Sequence, residues 1–206
     1  MLVATGVLGW FTYTRLRRAW KMTIVAWLLW GCVFQMIAAS TAPTVLADVI
    51  QAKGTNPYYI VSREHSLRDV LWHFEAIAAA APIHIRSNMP GKLLFYYALE
   101  AITLRPEMIG YLIMLISSIV GGVLLYWVVW LLFEDRRIAL YSMILYVVIP
   151  SRTYFAPLLN TISPLFAICS FIVLLLYIRR PSRMTAVVYG VSVLGMVFME
   201  PMLLVT

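Results

Sequence analysis

Acidic residues are scarce in this chain. Aspartate and glutamate number nine against sixteen lysines and arginines, and charged residues make up 12% of the 206 positions. A soluble domain carries about a quarter, so a freely soluble globule is excluded. Cysteine is nearly absent: Cys32 and Cys169 both fall inside apolar runs, so no disulfide is expected and both should be buried free thiols. No convincing signal-peptide cleavage pattern is expected either. Residues Met1–Thr14 are apolar, but no cationic stretch precedes them and no Ala-x-Ala site follows. There is no convincing internal repeat and no low-complexity segment.

Hydrocarbon takes the place of charge. The chain is 63% hydrophobic, its mean hydropathy is +0.88, and apolar runs recur at the length of about 18 residues or more that crosses a bilayer core of about 30 Å. The expected fold is all-α: a polytopic transmembrane helical bundle with an exoplasmic loop that contains amphipathic juxtamembrane helices. A formal charge of +7 does not point to nucleic acid, because the excess cations cluster beside apolar spans and read as topology signals.

In chain order, residues 1–14 are too short to span alone. Arg15, Arg17, Arg18 and Lys21 form the densest cationic cluster, cytoplasmic by the positive-inside rule. Expected spans follow at about 22–40, 109–133, 138–154, 161–178 and 184–206. Between the first two lies an exoplasmic loop, 41–108, with juxtamembrane helices at about 44–53, 66–81 and 92–103. In the middle one, Ser66 and Asp69 look like a helix N-cap, and Leu67, Val70, Leu71, Phe74, Ile77 and Ala81 recur at helical spacing. Placing Arg179, Arg180 and Arg183 inside with the first cluster sets the parity of every span. The helix 92–103 then begins and ends on one side, and at about 18 Å it is too short to cross. The chain ends in an apolar run with no cationic flank, so a fragment, or a naturally short form, of a larger membrane protein is expected.

This parity gathers the polar groups on the exoplasmic side. Asp48 follows the first span. The strip His84-Ile-Arg-Ser-Asn-Met-Pro-Gly-Lys92 leads into the short helix, bringing His84, Arg86, Asn88 and Lys92. Arg152 and Asn160 flank the next outer turn, and Glu200 precedes Pro201 near the end of the last run. An acid within an apolar run is costly and functional by default. Arginine forks bind phosphate bidentately and lysine binds it as a point charge. Such a face suits a glycosyl phosphate, with Tyr58, Tyr59 and Trp72 as aromatic platforms. It suits an anionic lipid interface equally well, and Lys92 and Arg86 would also snorkel toward headgroups. No metal-ligand set stands out; a divalent cation held with His65 stays open.

The order of these features, with Asp48, residues 84–92 and residues 150–164 (Phe155-Ala-Pro-Leu-Leu-Asn160 within them), resembles the GT-C glycosyltransferases, in the branch holding the protein O-mannosyltransferases and the lipid A aminoarabinose transferases. The resemblance covers the layout of the whole chain and implies an N-terminal part of such an enzyme. It implies inverting transfer of a sugar from a polyprenyl-phosphate donor to an acceptor on the exoplasmic side of a bacterial plasma (inner) membrane, with no certain cofactor. Asp48 would be the general base. Lys92, Arg86, His84, Asn88 and Arg152 would contact the carrier phosphate or substrate, joined by Asn160 and Glu200. Two positions depart from the family pattern. Met89 stands before Pro90 where the family has His or Lys, so Lys92 would take over that charge. Asn160 stands where a second acid is usual. The alternative is a non-catalytic membrane protein that keeps the architecture and binds lipid or partner membrane helices. A small transporter is disfavoured, because the runs 109–133 and 161–178 carry no ionisable group short of Tyr and Cys.

Overall fold

The computed structural model describes residues 2–15, 20–149 and 155–201, and these form helices with no strand among them. The helices in chain order are α1 (Leu2–Arg15), α2 (Trp20–Thr41), α3 (Leu46–Ile50), α4 (Tyr58–Glu64), α5 (Leu67–Ala80), α6 (Ile83–Arg86), α7 (Gly91–Glu100), α8 (Pro106–Phe133), α9 (Arg136–Val148), α10 (Ser163–Arg179) and α11 (Arg183–Met199). A 3-10 turn, Leu159–Thr161, runs into α10. Three helical stretches are long and apolar enough to cross a membrane: Trp20–Thr41, Pro106–Phe133 and Leu159–Arg179. Arg183–Met199 is apolar but shorter. These features point to an integral membrane protein. Their outward faces agree, since Leu29, Val120, Phe171 and Val191 are all exposed. That display would drive a soluble protein to aggregate, and it costs nothing in lipid.

The long helices alternate in direction, so the molecule has two ends. At one end, the loop end, α3 to α7 gather over the start of α8, the 3-10 turn and the end of α11. A single core joins them, with Ile50, Tyr96, Ile85, Leu93, Ile109, Ile113, Leu159, Ile162 and Met199 buried together. At the other end, the turn end, Glu134 adopts a left-handed conformation (φ 55°) that breaks α8 from α9. Asp135 caps α9 by accepting from the Arg137 and Ile138 amides. Arg179, at the end of α10, donates to the Leu131 carbonyl and pairs with Glu134 at 3.3 Å. It thereby serves the unsatisfied carbonyls that close α8.

Small residues let the bundle close. A Cβ on Gly31 would lie 2.8 Å from Val147 Cβ, and one on Gly122 would lie 2.5 Å from Leu28 Cδ2. Gly31 and Gly122 thus bring α2, α8 and α9 into close contact, with Trp27, Leu28, Leu140, Met143 and Val147 as the core between them. Ser118 donates to the Gln35 side-chain oxygen at 2.7 Å, a buried polar tie between α8 and α2. The first helix, α1, packs along α2, where Trp27 Nε1 donates to Thr12 at 2.7 Å.

Several boundaries differ from the sequence expectations. The helix expected at 44–53 is one short turn, Leu46–Ile50. The one expected at 66–81 is present as α5, closed at its start by a reciprocal Ser66–Asp69 capping box, but it kinks at His73 (φ −129°, ψ 26°). α4 is an added helix: Pro57 sits at its N-cap, where a proline costs no hydrogen bond. α8 begins at Pro106, in the segment expected to be a break, for the same reason. α11 ends at Met199, because Glu200 precedes Pro201 and a residue before proline is pushed out of the helical region (Glu200 φ −161°, ψ 97°). The expected span 138–154 is helical over Arg136–Val148, and its remainder, with Arg152, includes positions outside the described residues. Cys32 is buried as expected, but Cys169 lies exposed on the outward side of α10.

Candidate functional site

The loop end is assembled around the first turn of α7. Pro90 sets its N-cap, and Gly91 and Lys92 open the helix. Gly91 has to be glycine: a Cβ there would collide with the backbone carbonyl of Phe198 at the end of α11. The start of α7 and the end of α11 therefore meet backbone to backbone, amide end facing carbonyl end, an arrangement the helix dipoles favour. Lys92 and Glu200 face one another across this joint. Lys92 Nζ lies 3.0 Å from Glu200 Oε2, with side-chain exposures of 3% and 26%. The same ammonium sits 5.6 Å from the centroid of the Tyr58 ring. A buried lysine without a partner would cost several kcal/mol, and here the carboxylate and the ring face supply partners.

Tyr58 is the hub of this cluster. Its hydroxyl donates to the His84 carbonyl at 2.9 Å and accepts from the Asn88 amide at 3.2 Å. Asn88 also donates to the His84 carbonyl at 2.7 Å. These bonds clamp the strip 84–88 against α4. Burial, and then the negative charge of Glu200, raise the Tyr58 pKa above the ordinary tyrosine value, so its hydroxyl stays protonated. Asn88 thus braces the backbone of the strip. His84 and Arg86 are exposed, and Arg86 gives one hydrogen bond, 2.8 Å to the Ala79 carbonyl.

Asp48 belongs to the same layer. Leu46 and Ile50 of α3 are buried, a Cβ on Gly110 of α8 would touch both, and Asp48 between them is exposed. Among the described residues no ion pair involves Asp48. A buried asparagine links its helix to α7: Asn56 Nδ2 donates to the Ile50 carbonyl at 3.2 Å and to the Tyr96 hydroxyl at 2.6 Å. Tyr96 is fully buried one turn after Lys92 on α7, and burial raises its pKa. The two Asn56 bonds tie α3, which carries Asp48, to α7, which carries Lys92. Further along α7, Ser62 donates to Glu100 at 2.7 Å and Tyr97 donates to the His65 carbonyl at 2.7 Å.

Of the residues singled out in the sequence, the structure brings Lys92 and Glu200 into contact and places Asn88 beside them through Tyr58. Arg86 and His84 lie exposed on the same strip, with the Arg86 guanidinium bonded to the Ala79 carbonyl. Asn160 is exposed in the 3-10 turn before α10. Arg152 lies outside the described residues. Among the described residues no group of three histidine, cysteine, aspartate or glutamate side chains is arranged to hold a metal. Sequence reasoning missed three residues that organise the site, namely Asn56, Tyr96 and Glu100. Tyr58 stood out there only as an aromatic surface. The one available signal was Asn56-Pro57-Tyr58-Tyr59, a helix start followed by two large hydroxyl-bearing rings. The chain matches no family model, no curated protein and no solved structure.

Proposed function

We propose that the protein is a membrane glycosyltransferase of the GT-C type, or part of one, that moves a sugar from a polyprenyl-phosphate carrier to an acceptor hydroxyl on the exoplasmic side of a bacterial plasma membrane. The observation that carries this reading is Lys92, a buried cation at the amide end of α7, paired with Glu200 and backed by the Tyr58 ring. A lysine offers a point charge to a phosphate that gathers negative charge as it leaves. Arg86, exposed on the adjoining strip, supplies further positive surface for a headgroup arriving from the lipid, and His84 beside it is an exposed hydrogen-bonding side chain. Asp48 takes the proton of the acceptor hydroxyl as that oxygen bonds to the anomeric carbon. The bond from that carbon to the carrier phosphate breaks, and the leaving phosphate remains beside Lys92.

The test is transfer from radiolabelled polyprenyl-phosphate sugars by protein reconstituted in vesicles. Asp48→Asn is expected to lower the rate by about a hundredfold or more, the usual contribution of a positioned base. An unchanged rate removes Asp48 from the mechanism. A second reading is a non-catalytic subunit that binds lipid or partner helices. The neutralisation of Lys92 by Glu200 favours it, and failure of the native protein to transfer from any such donor selects it.

A further inference from the structure

The turn end carries a second feature that sugar transfer does not use. A groove of about 340 Å³ runs along α8 and is lined by Trp20, Val123, Tyr126, Trp127, Trp130 and Arg136. Val123, Trp127 and Trp130 are each 40% exposed or more and form its outward wall. Two cations share one indole beside it: the Arg136 guanidinium lies 4.8 Å from the Trp20 ring centroid and the Lys21 ammonium 5.6 Å. Trp20 is itself stacked on Tyr126, centroids 6.4 Å apart.

The acids nearby are already engaged. Asp135 accepts the first amides of α9, and Glu134 pairs with Arg179. Among the described residues neither Arg136 nor Lys21 has a carboxylate partner. The groove is thus apolar along the helix and uncompensated positive beside it. That complementarity describes an amphiphile with a negative head.

We propose that this groove binds an anionic glycerophospholipid of the surrounding membrane. One acyl chain lies along Val123, Trp127 and Trp130, and the phosphate sits by Arg136 and Lys21. A zwitterionic headgroup fits less well, because its own ammonium would meet the two cations. The site stands apart from the loop end and does not depend on the transfer reaction.

The test is quenching of tryptophan fluorescence by brominated lipids in phosphatidylcholine vesicles holding the full chain. Brominated phosphatidylglycerol is compared with brominated phosphatidylcholine. Native protein should prefer the anionic lipid, and each cation should contribute about fivefold. Arg136→Gln with Lys21→Gln should remove most of that preference. Arg180→Gln, an exposed cation of the same end that is not part of the groove lining, should leave it nearly intact. Trp127→Ala, which keeps both charges, should weaken quenching by both lipids. Circular dichroism of each variant confirms that the helices remain. The proposal is overturned if native protein shows no anionic preference, if the preference survives the double substitution, or if Arg180→Gln reduces it as much as Arg136→Gln does.

Discussion

At the scale of single residues, the molecule turns on one buried ion pair. Lys92 is 3% exposed and Glu200 26%, so removing either partner leaves the other charge in poor solvent. Lys92→Met is expected to cost about 3 kcal/mol, the low end for a broken buried pair because Glu200 keeps some access to water. Lys92→Met with Glu200→Leu should recover most of that loss. Thermal unfolding in detergent reads both, and equal destabilisation by the single and double variants would mean that the pair carries no coupling. Each partner was legible in the sequence alone: a lysine opening an apolar helix, and an acid in an apolar run before proline. Their meeting was not legible, because it depends on α7 docking end to end with α11. The same limit hid Tyr96, Asn56 and Glu100. A tyrosine or asparagine in a loop region reads as surface until a distant partner closes over it, as Tyr96 does for Asn56.

At the scale of elements, two small features decide how the loop end is held. The first is Gly91. Gly91→Ala drives a methyl into the Phe198 carbonyl, and backbone cannot yield as a flexible side chain does. The α7–α11 joint should separate, and amide protection should fall in both helices on hydrogen exchange while the turn end is unaffected. The second is the capping box of α5. Its hydrogen bonds from Ser66 hold the Asp69 carboxyl below its ordinary pKa, with minor help from His73 and His65. A depressed carboxyl pKa stabilises the folded form above the unfolded carboxyl pKa, and that contribution is lost as pH falls through the depressed value. Protection of the first turn of α5 should therefore drop on acidification through this range. In Ser66→Ala it should be low throughout and lose this pH dependence. The box was readable from Ser66 and Asp69, as was the apolar stripe behind it. The kink at His73 and the helix α4 were not, although Pro57 marks the start of α4.

At the scale of the whole molecule, the cationic clusters and apolar runs carried the layout. An all-helical chain with long apolar helices, and a run of shorter helices after the first of them, was legible; against five expected spans, three helical stretches are long and apolar enough to cross a membrane. The three long apolar helices and the gathering of α3 to α7 at one end follow that plan. The boundaries moved wherever proline governed them, at Pro106 and Pro201. Topology follows as a prediction: in a variant lacking Cys32 and Cys169, Lys53→Cys should react with an impermeant thiol reagent added to intact cells. Arg183→Cys should react only after the membrane is opened, and the reverse pattern would invert the bundle. The central claim is that the loop end holds a polyprenyl phosphate at Lys92. Its most direct test is equilibrium binding of a short-chain polyprenyl phosphate to the purified full chain in detergent. Native protein should bind saturably. The neutral pair Lys92→Met with Glu200→Gln, which strands no charge, should bind at least about tenfold more weakly. Equal affinity in the two proteins would contradict the account.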